Sequence, residues 1–233
     1  MAVRHLRKRS LASKAWWLFD IFANEVSRRK PGGCSTSSRP SRLELKSVVL
    51  YTVGMTYTLI PLGNPGTKYA NTRHNVARVL LSMIKDDVMK IVSLEIMVPS
   101  TFMNESGKAV LEYLNYHEGR DIVVMYDDKD LPYGTFRISY DRGDGGHNGV
   151  KSIIQALQKK DFIRIRIGIA QPEVEGNILM KPPHGEAVQG YVMGNINEQE
   201  EEHLRTIAAR VLGAIKAITE SGYQKAMEVY NGM

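Results

Sequence analysis

The chain has 233 residues, 43% of them hydrophobic and 24% charged, which suits one large domain with a buried core and excludes a disordered chain. A formal charge of +6 suggests nucleic acid, but residues 1–54 hold 11 Lys/Arg against 3 Asp/Glu while residues 55–233 hold 20 against 22, so any RNA contact by the body needs a local patch. The single cysteine, Cys34, excludes a disulfide framework and a Cys-rich zinc site, and no apolar run approaches the ~18–20 residues of a membrane span.

Residues 1–19 carry Arg4, Arg7, Lys8, Arg9 and Lys14 with Trp16, Trp17, Leu18 and Phe19 and no acid before Asp20. Basic, acid-poor and apolar-studded is the composition of a mitochondrial presequence, and equally of a basic tail on a cytoplasmic protein or of an upstream stretch that is no part of the mature protein. Residues 30–42 are Pro/Gly/Ser-rich and read as a linker. We therefore divide the chain into an extension, 1–54, and a domain, 55–233. In the domain, Thr56–Leu62 is a β-rich run ending in the turn Gly63-Asn64-Pro65-Gly66. The spacing predicts a helix over 76–84, a strand over 93–98, a helix over 107–116 and a strand over 121–126. It then predicts a strand over 135–140, a helix over 149–158, a strand over 162–170 and a helix over 198–222. Strands alternating with helices imply an α/β fold.

Chemistry-bearing residues gather where strands end, the edge at which α/β folds build sites. The first cluster is Asn64, Tyr69 and Thr72-Arg73-His74-Asn75; a lone histidine is usually structural, but here it has polar neighbours. The second is Thr101-Phe102-Met103-Asn104, in which Asn104 either caps a helix or faces a ligand. The third is Asp127-Asp128-Lys129-Asp130. No further His or carboxylate lies at metal-ligand spacing; one of these aspartates orients a histidine, as in acyl-transfer triads, or the run is a solvated turn. The fourth is Gly143-Asp144-Gly145-Gly146-His147-Asn148-Gly149, whose bare N–H groups ahead of a helix suit a phosphate or an oxyanion.

Taken in order, Asn64-Pro65-Gly66, Thr72-Arg73-His74-Asn75, Thr101-Phe102-Met103-Asn104, Asp130-Leu131-Pro132, Gly145-Gly146-His147-Asn148-Gly149, Arg164-Ile165-Arg166-Ile167-Gly168-Ile169 and Tyr191-Val192-Met193-Gly194 resemble the bacterial-type peptidyl-tRNA hydrolases from about Leu59 onward. The resemblance implies a single α/β domain with a twisted mixed sheet flanked by helices. It implies a monomer without metal or cofactor that hydrolyses the ester between a peptide and tRNA. His74 takes the place of the catalytic histidine and Asp127 that of the acid behind it. Asn64 takes the place of the residue that separates blocked from free aminoacyl-tRNA. Tyr69, Phe102, Met103, Asn104, His147 and Asn148 match residues around the tRNA end and the peptide. Arg137, Arg142, Arg164 and Arg166 form the expected phosphate patch, with seven Lys/Arg against three Asp between residues 137 and 166.

Two departures stand out. Family members usually have more strand between residues 85 and 98, and the shorter segment threatens a sheet edge and the packing of residues 76–92. Ser139 stands where bacterial members often carry a phosphate-gripping lysine. A tRNA-binding member without turnover is the alternative that the short segment raises. A serine hydrolase lacks its Gly-x-Ser-x-Gly elbow here.

Overall fold

The computed structural model describes residues 56–170 and 186–232; residues 1–55, with the extension, the linker and Cys34, lie outside them. Five strands, β1 (Thr56–Pro61), β2 (Leu94–Ile96), β3 (Arg120–Pro132), β4 (Phe136–Tyr140) and β5 (Ile163–Ala170), form one sheet in the order β2-β1-β3-β5-β4. The first four in that order run parallel and β4 is antiparallel to β5. The helices are α1 (Val76–Val88), α2 (Ser106–Leu114), α3 (Asn148–Leu157), α4 (Glu186–Met193) and α5 (Glu198–Tyr230). No described helix is long and apolar enough to cross a membrane.

The sheet is mixed and flanked by helices, as the sequence implies. β-Branched runs such as Ile122-Val123-Val124 have no polar alternation, so both faces of β3 are buried. On one face, Leu59, Val123, Met125, Ile165 and Ile167 pack against α1 and α5. On the other, Ile60, Val124 and Tyr126 pack against Val110 of α2 and Val150 and Ile153 of α3. At the C-terminal end of β1, Gly149 lets α3 approach the strand: a Cβ there would lie 2.6 Å from Met103 Sδ and 2.9 Å from Leu62 Cδ1.

α5 begins with a capping box. Asn197 Oδ1 accepts from Glu200 N at 2.9 Å, and Asn197 N donates to Glu200 Oε2 at 2.9 Å. Gly222 breaks the helix at φ 82°, at the residue where the sequence pattern ends. The returning segment closes the β4 edge, because Asn231 bonds both Ile138 N and Ile138 O at 2.8 Å.

Two expectations are corrected. The acidic run is not a turn: β3 continues through Pro132 with a register shift between Asp128 and Pro132. The short segment does not loosen α1, where Val79, Leu80, Ile84 and Val88 are all buried. Its consequence is confined to the edge, where three-residue β2 ends the sheet. The sequence pattern missed α4, whose Glu-Ala-Val-Gln-Gly-Tyr-Val-Met has a weak helical signature.

Candidate active site

A cavity of about 640 Å³ opens at the C-terminal ends of β1 and β3. Asn64, His74, Asp127 and His147 line it, with Phe102, Asn104 and Asn148 toward solvent and Val188, Gln189 and Val192 of α4 on one side. The structure thus brings together residues from all four clusters.

Three loops are tied at its floor. Asn64 N donates to Asn75 Oδ1 at 2.8 Å and Asn75 Nδ2 donates to Asn64 O at 2.9 Å. Arg78 joins in, donating to Asn64 O at 3.2 Å and to Pro99 O at 2.7 Å. Burial pushes the Arg78 pKa down to about 10, so the side chain stays cationic at neutral pH. Asn64 Oδ1 accepts from Met103 N at 2.9 Å. That bond fixes the amide's orientation and leaves its NH₂ as the group Asn64 offers to a ligand.

His74 sits in a 3₁₀ turn (Arg73–Asn75) just ahead of α1. Its Nδ1 lies 2.9 Å from Asp127 Oδ1, and the ring is buried. A carboxylate only accepts, so Nδ1 carries the proton and Nε2 is the basic nitrogen. Burial lowers the His74 pKa, but Asp127's charge and hydrogen bond more than offset this, and the net shift is upward. Burial likewise raises Asp127, yet the facing histidines hold it well below the usual carboxylate range.

The turn that carries His74 is braced from the far end of the chain. Arg73 N donates to Gly194 O at 2.9 Å. The Arg73 guanidinium donates to Glu200 Oε1 at 2.9 and 3.1 Å and to Tyr191 O at 3.2 Å, and lies over the Tyr191 ring at 4.8 Å. Glu200, only 3% exposed, therefore caps α5 and fixes the histidine turn with one carboxylate. Sequence reasoning singled out neither Glu200 nor Arg78.

The remaining candidates divide. Phe102, Asn104 and Asn148 are exposed at the mouth. Tyr69 is not part of the lining; its ring meets Phe102 edge-on at 6.2 Å. Met103 is 4% exposed and belongs to the core, so its backbone N–H is its clearest contribution. His147 lines the cavity with both ring nitrogens engaged: Nε2 lies 2.9 Å from Asp127 Oδ1, and Nδ1 accepts from Gly149 N at 3.2 Å and Val150 N at 3.3 Å.

The arginine patch needs correction. Arg164 is fully buried over the Phe162 ring, its guanidinium bonded to the carbonyls of Arg142, Lys160 and Phe162. It is a structural cation and no phosphate ligand. Arg166 lines the cavity but is 8% exposed and paired with Asp128 at 2.8 Å. Arg142 is exposed at the mouth, and Arg137 is exposed on β4. Among the described residues, seven formal charges line the cavity: Lys129, Arg142 and Arg166 against Asp127, Asp128, Asp130 and Asp144. Among the described lining residues the acids thus outnumber the cations.

His74, Asp127 and His147 also present ligand-type atoms within 4.8 Å of one another, the donor set of a metal site. Hydrogen bonding accounts for the group as it stands, each ring donating an N–H to the carboxylate.

Comparison with known proteins decides the family. Residues 58–233 match the family model described as peptidyl-tRNA hydrolase. The chain belongs to the peptidyl-tRNA hydrolase family. Among curated members, the peptidyl-tRNA hydrolase of Prochlorococcus marinus is 38% identical over 180 residues, covering 69% of this chain and 88% of its own. That of Fervidobacterium nodosum is 39% identical over 187 residues, covering 75% and 96%. Among solved structures, the peptidyl-tRNA hydrolase of Acinetobacter baumannii superposes with a TM-score of 0.63 at 25% identity, covering 74% of this chain and 93% of that one. Asn64, His74, Asn104, Asp130, His147, Asn148 and Arg166 of the lining come from the motifs that carry the family resemblance, and Asp127 stands three residues ahead of one of them.

Proposed function

We infer that the chain hydrolyses the ester linking a peptide to tRNA, with His74 as the general base. The observation that carries this reading is the buried Asp127–His74 pair, which protonates Nδ1 and leaves Nε2 basic beside a cavity large enough for the end of a peptidyl-tRNA. Nε2 takes a proton from water as the water oxygen attacks the ester carbonyl. The terminal ribose oxygen then leaves with that proton, and peptide acid and free tRNA result. General-base assistance is worth ~10²–10⁴ in rate.

The Asn64 NH₂ is suited to the developing oxyanion or to a peptide carbonyl. A pure donor in a buried turn has nothing to offer an ammonium, so it also disfavours free aminoacyl-tRNA. Phe102, Asn104 and Asn148 supply contact surface for the peptide and the tRNA end, with Tyr69 supporting Phe102. Of the four arginines, Arg137 and Arg142 are the two exposed for phosphate. The resemblance to the family is what supports a monomer. The basic, acid-poor residues 1–19 support delivery to a mitochondrion, testable by fusing residues 1–54 to a reporter. The reading as a tRNA-binding protein without turnover is not favoured, since His74, Asp127 and Asn64 stand in working geometry.

The test is release of an N-acetylated amino acid from its tRNA by the purified chain, with unblocked aminoacyl-tRNA alongside. The blocked substrate is expected to be cleaved and the free one spared. Asn64→Asp, which adds a carboxylate able to pair with the ammonium, should narrow the ratio of the two kcat/KM values. An unchanged ratio would assign selectivity elsewhere.

A further inference from the structure

His147 is held in one state by its surroundings. Its Nδ1 accepts from Gly149 N at 3.2 Å and Val150 N at 3.3 Å, capping α3. A nitrogen that accepts carries no proton, so the ring's single N–H is at Nε2. That N–H points to Asp127 Oδ1 at 2.9 Å, the same oxygen that meets His74 Nδ1 at 2.9 Å. The ring is further fixed between neighbours, its centroid 4.9 Å from that of His74 and 4.8 Å from that of Tyr126. One carboxylate oxygen thus serves two histidines of unequal freedom. His147 is anchored by the backbone of α3, while His74 has one nitrogen left for chemistry.

We propose that His147 is a positioning residue for the reaction: it fixes Asp127 and divides the carboxylate's hold between two donors, which tunes His74 as a base. The proposal rests on the reading of His74 given above. With both bonds in place, Asp127 cannot turn its oxygen away from His74 without abandoning His147. Asp127 also spends part of its charge on a neutral donor, which moderates its pull on a proton at His74.

Other charges around the group leave this arrangement in control. Behind it on β3 and β5, Asp128 pairs with Arg166, and Lys129 pairs with Asp130. Beside the turn that carries His74, Arg73 pairs with Glu200 of α5, and Arg78 is spent on backbone carbonyls. Arg142 and Asp144 stand in the loop before α3, and the described lining residues of α4, Val188, Gln189, Val192 and Met193, carry no charge.

The experiment compares His147→Asn and His147→Gln by kcat, KM and the pH dependence of kcat/KM on N-acetyl-aminoacyl-tRNA. Asparagine places an oxygen where Nδ1 was and keeps the helix cap, but it is too short to donate to Asp127. Glutamine places an N–H near the position of Nε2. His147→Asn should lower kcat about 10- to 100-fold, the range for a misplaced catalytic group. Its KM should stay within twofold, and the acid limb should move to higher pH because His74 then faces an undivided carboxylate. His147→Gln should recover most of the lost kcat and return the limb toward the wild-type position. Equal losses in both variants with an unmoved limb, or a change confined to KM, would overturn the proposal. His74→Ala is run in parallel: if it stays active the general-base reading fails, whereas a dead His74→Ala beside a normal His147→Asn refutes the role of His147 alone.

Discussion

On the floor of the cavity, His74, Asp127, Asn64 and Asn75 are buried and joined by hydrogen bonds of 2.8–2.9 Å. At the rim, Phe102, Asn104, Arg142 and Asn148 stand exposed. The difference teaches how the labour is divided. A floor tied to β1, β3, α1 and α3 holds reacting groups in one geometry, as ester hydrolysis requires. An exposed rim suits a substrate whose peptide differs from one molecule to the next. Changes on the floor should therefore act on kcat, and changes at or beyond the rim on binding.

The largest expected effect is on the floor. His74→Ala should lower single-turnover hydrolysis at least ~100-fold, with tRNA binding retained in a filter assay. Hydrolysis near the wild-type rate would place the base elsewhere. Next comes the brace behind the floor. Glu200→Gln removes the charge facing a mostly buried Arg73 (side-chain exposure 12% and 4% for the two partners). It should cost roughly 2–3 kcal/mol of stability in urea denaturation, below the full figure for a completely buried pair because Arg73 keeps some solvent. An unshifted midpoint would show that the turn stands without α5. The smallest effect lies beyond the rim. Arg137→Ala should leave kcat unchanged and reduce the slope of log K against log salt by about 0.7–0.9, one phosphate contact. A wild-type slope would place the tRNA on another face.

The same division governs what the sequence discloses. His74, Asn64 and Asp127 are legible because all three stand in dense polar clusters at strand ends, where the proposed base, the acid that faces it and a turn asparagine meet. Arg164 and Arg166 are misread because Arg-Ile-Arg-Ile looks like a strand with one solvated face. In the fold Arg164 is enclosed by the carbonyls of Arg142, Lys160 and Phe162, Arg166 is paired with Asp128, and all eight residues of β5 are buried. Asp128 finds Arg166 only through the register of β3 on β5, in which Tyr126 stands opposite Arg166. Glu200 meets Arg73 across 127 positions, and no local pattern announces such a pair. α4 is invisible for another reason: eight residues with two valines and a glycine carry little helical periodicity.

The most direct measurement of the central claim is the pH dependence of kcat/KM for wild-type chain and Asp127→Asn on N-acetyl-aminoacyl-tRNA. Protonated His74 cannot accept a proton, so activity should fall as pH drops through the His74 pKa. Asp127 raises that pKa, so the wild-type limb should lie above the ordinary histidine value. Asp127→Asn removes the charge and leaves burial to act alone, so its limb should move to lower pH, at a greatly reduced rate. A wild-type profile without an acid limb, or a limb that stays in place when Asp127 loses its charge, would contradict His74 as the base that Asp127 holds.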